Sequence, residues 1–199
     1  LRYGDKNVSQ KLNPLNKEQQ KKIFILFFLV LVFWIVVTIN EFLFNRSLIS
    51  FGVMPQSIVG LRGIFIAPFI HANFYSVAEN TVPFIILGWL VINRSIKDFY
   101  FVFCSSVISS GLGTWLIGKP NTLHIGAGGV VFGFYGYWLF QIYLERKFAI
   151  FYTSIAIAII LCVLLFFGVL PKQSNISWES FLFGFIGGII AAKFLASKP

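Results

Sequence analysis

Charge is scarce in this chain, and the scarcity decides its class. Only 12% of its 199 residues are Asp, Glu, Lys or Arg, about half the share found in a soluble domain. With 57% hydrophobic residues and a mean hydropathy of +0.82, a water-soluble globule is excluded. Cysteine is nearly absent. Cys104 and Cys162 stand alone inside apolar runs, where lone thiols are expected to be buried as small hydrophobes, so they imply neither a disulfide framework nor a metal site. No internal repeat is visible, and no cofactor is expected. Acidic residues number 7 against 16 basic ones, so a nucleic-acid partner has to be weighed before it is set aside.

What the chain has in abundance is apolar blocks near the ~20 residues that a bilayer core demands. They predict spans at 23–44, 77–93, 99–117, 128–144, 148–170 and 180–197. Short connections leave no room for a separate soluble domain. The expected fold is an all-α polytopic membrane protein: a six-helix domain over 23–199 behind a hydrophilic tail, 1–22. That tail carries Lys6, Lys11, Lys17, Lys21 and Lys22. The apolar block after it exceeds the 7–15 residues of a secretory signal, and no small-residue cleavage site follows, so a cytoplasmic tail ahead of a permanent span is expected. The cations sort by side, twelve with the tail, loops 2 and 4 and the C-terminus against four (Arg46, Arg62, Lys119, Lys172) on the other. The positive-inside rule then places both termini in the cytoplasm. Basic residues that follow topology in this way do not describe a nucleic-acid face.

Loop 1, residues 45–76, is long and apolar, yet Gly52, Pro55, Gly60, Gly63 and Pro68 cut it into pieces too short to span. It is expected to lie half-sunk in the outer interface. Loop 3, 118–127, descends toward the fourth span as irregular backbone, which a membrane tolerates only beside protein or trapped water. A cavity open to the outside follows. Gly129-x-x-x-Gly133 and Gly184-x-x-x-Gly188 each place small residues one turn apart, the pattern of close helix contact. Ser105, Ser106, Ser109 and Ser110 on the third span read as packing hydroxyls.

Several segments together resemble one family. Phe51-Gly52-Val53-x-Pro55, Gly63-Ile64-x-x-Ala67-Pro68-Phe69, His71-Ala72-Asn73-Phe74 and Asn80-Thr81-Val82-Pro83-Phe84 look like the first loop and second span of short bacterial rhomboid intramembrane serine proteases. His124-Ile125-Gly126-Ala127-Gly128-Gly129-Val130-Val131-Phe132-Gly133 resembles the segment carrying their nucleophile. Ser177-Trp178-Glu179 through Gly187-Gly188 resembles their last span. The resemblance implies a six-span rhomboid-like bundle, and it also exposes departures.

The family's serine position is Gly128, its general-base histidine position is Phe181, and its second oxyanion donor, a histidine, falls on Ser76. Asn80 matches the other oxyanion donor, His71 and His124 match histidines that are usually structural, and Gly126 lies within the motif. Phe132 falls where an aromatic ring commonly faces the catalytic histidine. A serine attacks only with a base in reach, so neither half of that chemistry is available. Two other hydroxyls lie near: Thr122, and Ser180, which is expected to point away from the fourth span because it sits about 100° around the helix from position 181. The expected function is a pseudoprotease that binds transmembrane client helices in the lipid bilayer without cutting them. An endopeptidase with altered catalytic residues is the alternative. A small transporter is a weaker one, since no charged pathway lies inside the spans.

Overall fold

The computed structural model describes residues 16–150, 152, 154 and 177–197. In chain order its α-helices are α1 (Lys17–Phe42), α2 (Gly63–Ile66), α3 (Phe74–Arg94), α4 (Ile96–Ile117), α5 (Gly128–Leu144) and α6 (Trp178–Ala196). Four of them, α1, α3, α4 and α6, are long and apolar enough to cross a membrane. At 17 residues α5 is shorter, in keeping with a helix enclosed by the others. The expected fifth span, 148–170, falls almost wholly outside the described residues, as do Cys162 and the first fifteen residues of the tail.

Three of the helices, α1, α3 and α4, start where the sequence supplies an acceptor for the free N–H groups of the first turn. Asn16 Oδ1 accepts from Gln19 N at 2.7 Å while Asn16 N donates to Gln19 Oε1, a reciprocal capping box. The helix therefore begins at Lys17 and takes in the last six residues of the expected tail. Asn73 caps α3 through Ser76 N at 2.9 Å, and Ser95, the one residue between α3 and α4, caps α4 through Asp98 N. By contrast α5 begins at Ala127 without any side-chain cap.

The core is aromatic at its centre. Phe84 meets Phe33 at 5.1 Å between ring centroids and Phe134 at 5.5 Å, and Phe134 meets Phe99 at 5.2 Å, all four fully buried. The outward faces stay apolar, with Phe24, Phe27 and Phe28 of α1 exposed, as a lipid-facing surface requires. Cys104 corrects its expectation: it lies inside a span but on the exposed face of α4, because the buried face of that helix is taken by Val102, Ser106, Val107 and Ser110.

The glycine pairs do what their spacing implies. A Cβ on Gly184 would collide with the Gly129 carbonyl, and one on Gly188 with the Gly133 carbonyl. Backbone meets backbone there, and α5 and α6 have no room for side chains between them. Loop 1 breaks into 3-10 turns at Ser47–Phe51, Ile58–Arg62 and Ala67–Phe69 around the single turn of α2. Its inner side, Gly60, Gly63, Ile64 and Ala67, is buried, while Ile58, Val59 and Phe65 are exposed.

Candidate functional site

Loop 3 reaches α5 by pairing with loop 1. Val53 N donates to His124 O and His124 N to Val53 O, both at 2.9 Å, and Gly126 N donates to Ala67 O at 2.9 Å. The chain then turns at Gly126 with φ +103°, a left-handed conformation that glycine adopts without strain. This turn delivers Gly128 to the first position of α5.

There it meets Phe181. A Cβ built on Gly128 would overlap Phe181 Cε1 and sit 3.2 Å from both Cδ1 and Cζ. The Phe181 ring also lies flat on Phe132, centroids 4.7 Å apart and planes at 5°. Positions 128, 132 and 181, singled out separately in the sequence, thus form one packed unit. A ring fills the space in front of the α5 N-terminus.

A cavity of about 20 Å³ remains below loop 3, lined by the polar side chains of Ser110, Thr114, His124, Ser177 and Ser180 together with apolar residues of loops 1 and 3. It is room for about one water molecule, which needs ~10–15 Å³. A small pit therefore lies below loop 3, where the irregular backbone was expected to border a cavity. Ser180 corrects its expectation. Its Oγ lies 2.5 Å from where a Gly129 Cβ would be, so it faces α5. The glycine seam brings the two helices so close that residues 100° from Phe181 still touch α5.

His124 is held from both sides. Its Nε2 lies 2.7 Å from Thr122 Oγ1, and its Nδ1 lies 2.8 Å from Ser177 Oγ. The Thr122 hydroxyl donates to Lys119 O at 2.5 Å, which leaves it only acceptor capacity toward the ring. Nε2 is then the protonated nitrogen, and Nδ1 accepts from the Ser177 hydroxyl. Burial lowers the pKa of His124, with Glu179 acting weakly the other way. Ser177 and Thr114, which sequence reasoning missed, come from positions 53 and 10 residues away from His124. Only the folded chain brings them together, although Ser177 does open the family-like last-span segment.

His71 is fully buried against Phe33, ring centroids 5.4 Å apart. Neither ring nitrogen has a hydrogen-bond partner among the described residues. The Phe69 backbone approaches without hydrogen-bond geometry and raises the ring's basicity slightly, while burial drives its pKa down to about 4. Ser76 and Asn80 bond within their own helix. Asn80 Nδ2 donates to Ser76 O at 2.9 Å, and Ser76 N donates to the Asn73 cap. Among the described residues no hydrogen bond joins either of them to position 128 or 181.

A stacked ring over the first turn of an uncapped helix, a small-residue seam and a loop pinned above it define a helical membrane fold with a small pit beneath loop 3. The rhomboid domain model matches residues 59–198, and the chain belongs to the rhomboid family. It is 32% identical over 157 residues to an uncharacterized protein of Mycobacterium tuberculosis (strain ATCC 25618 / H37Rv), covering 74% of this chain and 64% of that one. An uncharacterized protein of Mycobacterium leprae (strain TN) is 32% identical over 181 residues, 88% of this chain and 71% of the relative. The YdcA protein of Bacillus subtilis (strain 168), which carries the provisional name of rhomboid protease, is 27% identical over 137 residues, 65% of this chain and 64% of its own. The chain thus spans a little under two thirds of the length of its first mycobacterial relatives.

Proposed function

We propose that this rhomboid-family membrane protein is a pseudoprotease: it binds client transmembrane helices and does not cleave them. The single observation that supports this most is the Phe181 ring, stacked on Phe132 and pressed against Gly128, where the family resemblance places its base and its nucleophile. Glycine offers no hydroxyl to activate, phenylalanine offers no base, and the ring leaves no space for a scissile carbonyl in front of position 128. In this reading Asn80 and Ser76 are former oxyanion positions, His71 and His124 are structural, and both termini face the cytoplasm of a bacterial plasma membrane.

One observation favours the competing reading, an endopeptidase with a relocated nucleophile. The Ser177 hydroxyl donates to an unprotonated His124 nitrogen at 2.8 Å, the arrangement that activates serine. Against it, Ser177 is buried and the adjoining cavity of about 20 Å³ admits no peptide.

The test is cleavage of a transmembrane reporter together with labelling by a serine-directed fluorophosphonate. The chain as it stands, G128S alone and F181H alone should all be silent, since a dyad acts as one unit. G128S/F181H should recover cleavage, and adding S76H should raise it by restoring an oxyanion donor, worth roughly 2.7–4 kcal/mol where such donors are removed. Labelling of the unmodified chain that is lost in S177A would overturn the pseudoprotease reading in favour of the relocated nucleophile.

A further inference from the structure

One end of the bundle carries a rim of cations that no acid among the described residues neutralises. Three contacts gather the helix ends there. Lys22 Nζ donates to Asn93 O at 3.2 Å, joining the start of α1 to the end of α3. Arg94 Nη1 bonds Glu145 Oε1 at 2.5 Å, joining α3 to the end of α5. Phe101 stacks on Phe194 at 5.2 Å, joining the start of α4 to the end of α6. The described acids at this end are engaged: Glu18 by Lys22 at 2.9 Å, Glu145 by Arg94 and by Lys147 at 2.7 Å, and Asp98 by the Tyr137 hydroxyl at 3.4 Å. Lys17, Lys21, Lys97, Arg146 and Lys193 remain, all exposed and without an acidic partner among the described residues.

The other end differs. Arg46 is gripped by both oxygens of Glu41 at 2.9 and 2.6 Å, and the Arg62 guanidinium covers the Phe51 ring at 4.5 Å. Lys119 alone lacks such a partner there among the described residues. Cation supply at the first end also coincides with apolar surface: exposed Phe24 follows Lys21, exposed Phe101 follows Lys97, Phe148 follows Arg146 and Phe194 follows Lys193. Each free cation in these pairs stands where an apolar flank gives way to a polar end. A soluble polyanion would meet only the charge, whereas a lipid meets both.

We propose that this rim selects anionic phospholipids, their headgroups held by Lys97, Arg146 and Lys193 and their chains lying along the adjoining aromatic residues. Each juxtamembrane cation contributes roughly a fivefold preference. The experiment reconstitutes the full chain in nanodiscs of phosphatidylcholine and phosphatidylglycerol, extracts it gently, and counts the retained lipids by mass spectrometry. The retained ratio of phosphatidylglycerol to phosphatidylcholine should exceed that of the disc by more than about fivefold, and K97Q/R146Q/K193Q should return it to the disc ratio while K119Q leaves it enriched. Circular dichroism verifies that the triple variant keeps its helices; were it to unfold, the three single variants, each lowering enrichment in part, carry the test. Inorganic phosphate should displace the lipid no better than sodium chloride of equal ionic strength. Retention at the bulk ratio by the unmodified chain, enrichment indifferent to the three substitutions, or preferential displacement by phosphate would each overturn the proposal.

Discussion

Replacing Gly128 by alanine probes the packed unit with a single methyl group. The backbone at Gly128 is ordinary helix, since its φ is not in the positive range. On propensity alone the change should therefore stabilise, by up to about 1 kcal/mol. The surroundings argue the opposite. The new Cβ would overlap Phe181 Cε1 and stand 3.2 Å from two further ring atoms, so the ring must leave its flat seat on Phe132. Overpacking of this kind costs about 1–3 kcal/mol, and loss of the stack adds about 0.5–1.5 kcal/mol. The net expectation is destabilisation of about 1–3 kcal/mol. In an F181A background the obstacle is gone, and the same alanine should be neutral or slightly stabilising. A double-mutant cycle of reversible unfolding in mixed micelles, followed by circular dichroism, measures that coupling directly. Equal effects of G128A in both backgrounds, or a stabilised single variant, would refute the steric dependence of position 128 on Phe181.

The glycine seam should be equally intolerant. G188L, against the Gly133 carbonyl of α5, and G187L, against Ser109 of α4, should each lower thermal stability in detergent by roughly 1–3 kcal/mol, whereas F194L, which loses its stack on Phe101, should cost less, about 0.5–1.5 kcal/mol; G188L melting together with the unmodified chain would remove the α5–α6 contact. For topology, cysteine at the exposed Lys97 should be shielded from an impermeant maleimide in intact cells while cysteine at Asn121 reacts, and the reverse pattern would invert the bundle. Burial depresses the folded-state pKa of His71 to about 4 from 6.5, so the unfolded chain binds the proton more tightly. Stability should be full above about pH 6.5 and fall as pH drops toward 4, by up to about 3 kcal/mol. H71L should flatten most of that fall, and an unchanged slope in a melting series would assign the titration elsewhere.

The sequence by itself determined the class, the family and those spans that fall within the described residues. Those depend on local quantities: the length of apolar runs, the Asn16, Asn73 and Ser95 caps, the breakers of loop 1 and the contiguous motif around Gly128. Part of the charge placement was likewise legible, since Lys17, Lys21, Arg94, Lys97 and Lys193 lie within the first or last turns of their own helices. The tertiary structure decided everything that depends on distance between segments. The 100° rule sent Ser180 away from α5, but the Gly129–Gly184 contact brings the helices close enough to turn that hydroxyl back toward it. His71 lies against Phe33 with no hydrogen-bond partner among the described residues, a burial that no residue spacing announces. Cys104 faces outward although its span is apolar on all sides, since no periodicity distinguishes a lipid face from a core face. Ser177 met His124 across 53 residues. Whether Gly128 and Phe181 were two independent losses or one packing solution could be read only from the ring between them, because steric exclusion acts between atoms in space and leaves no mark on residue spacing.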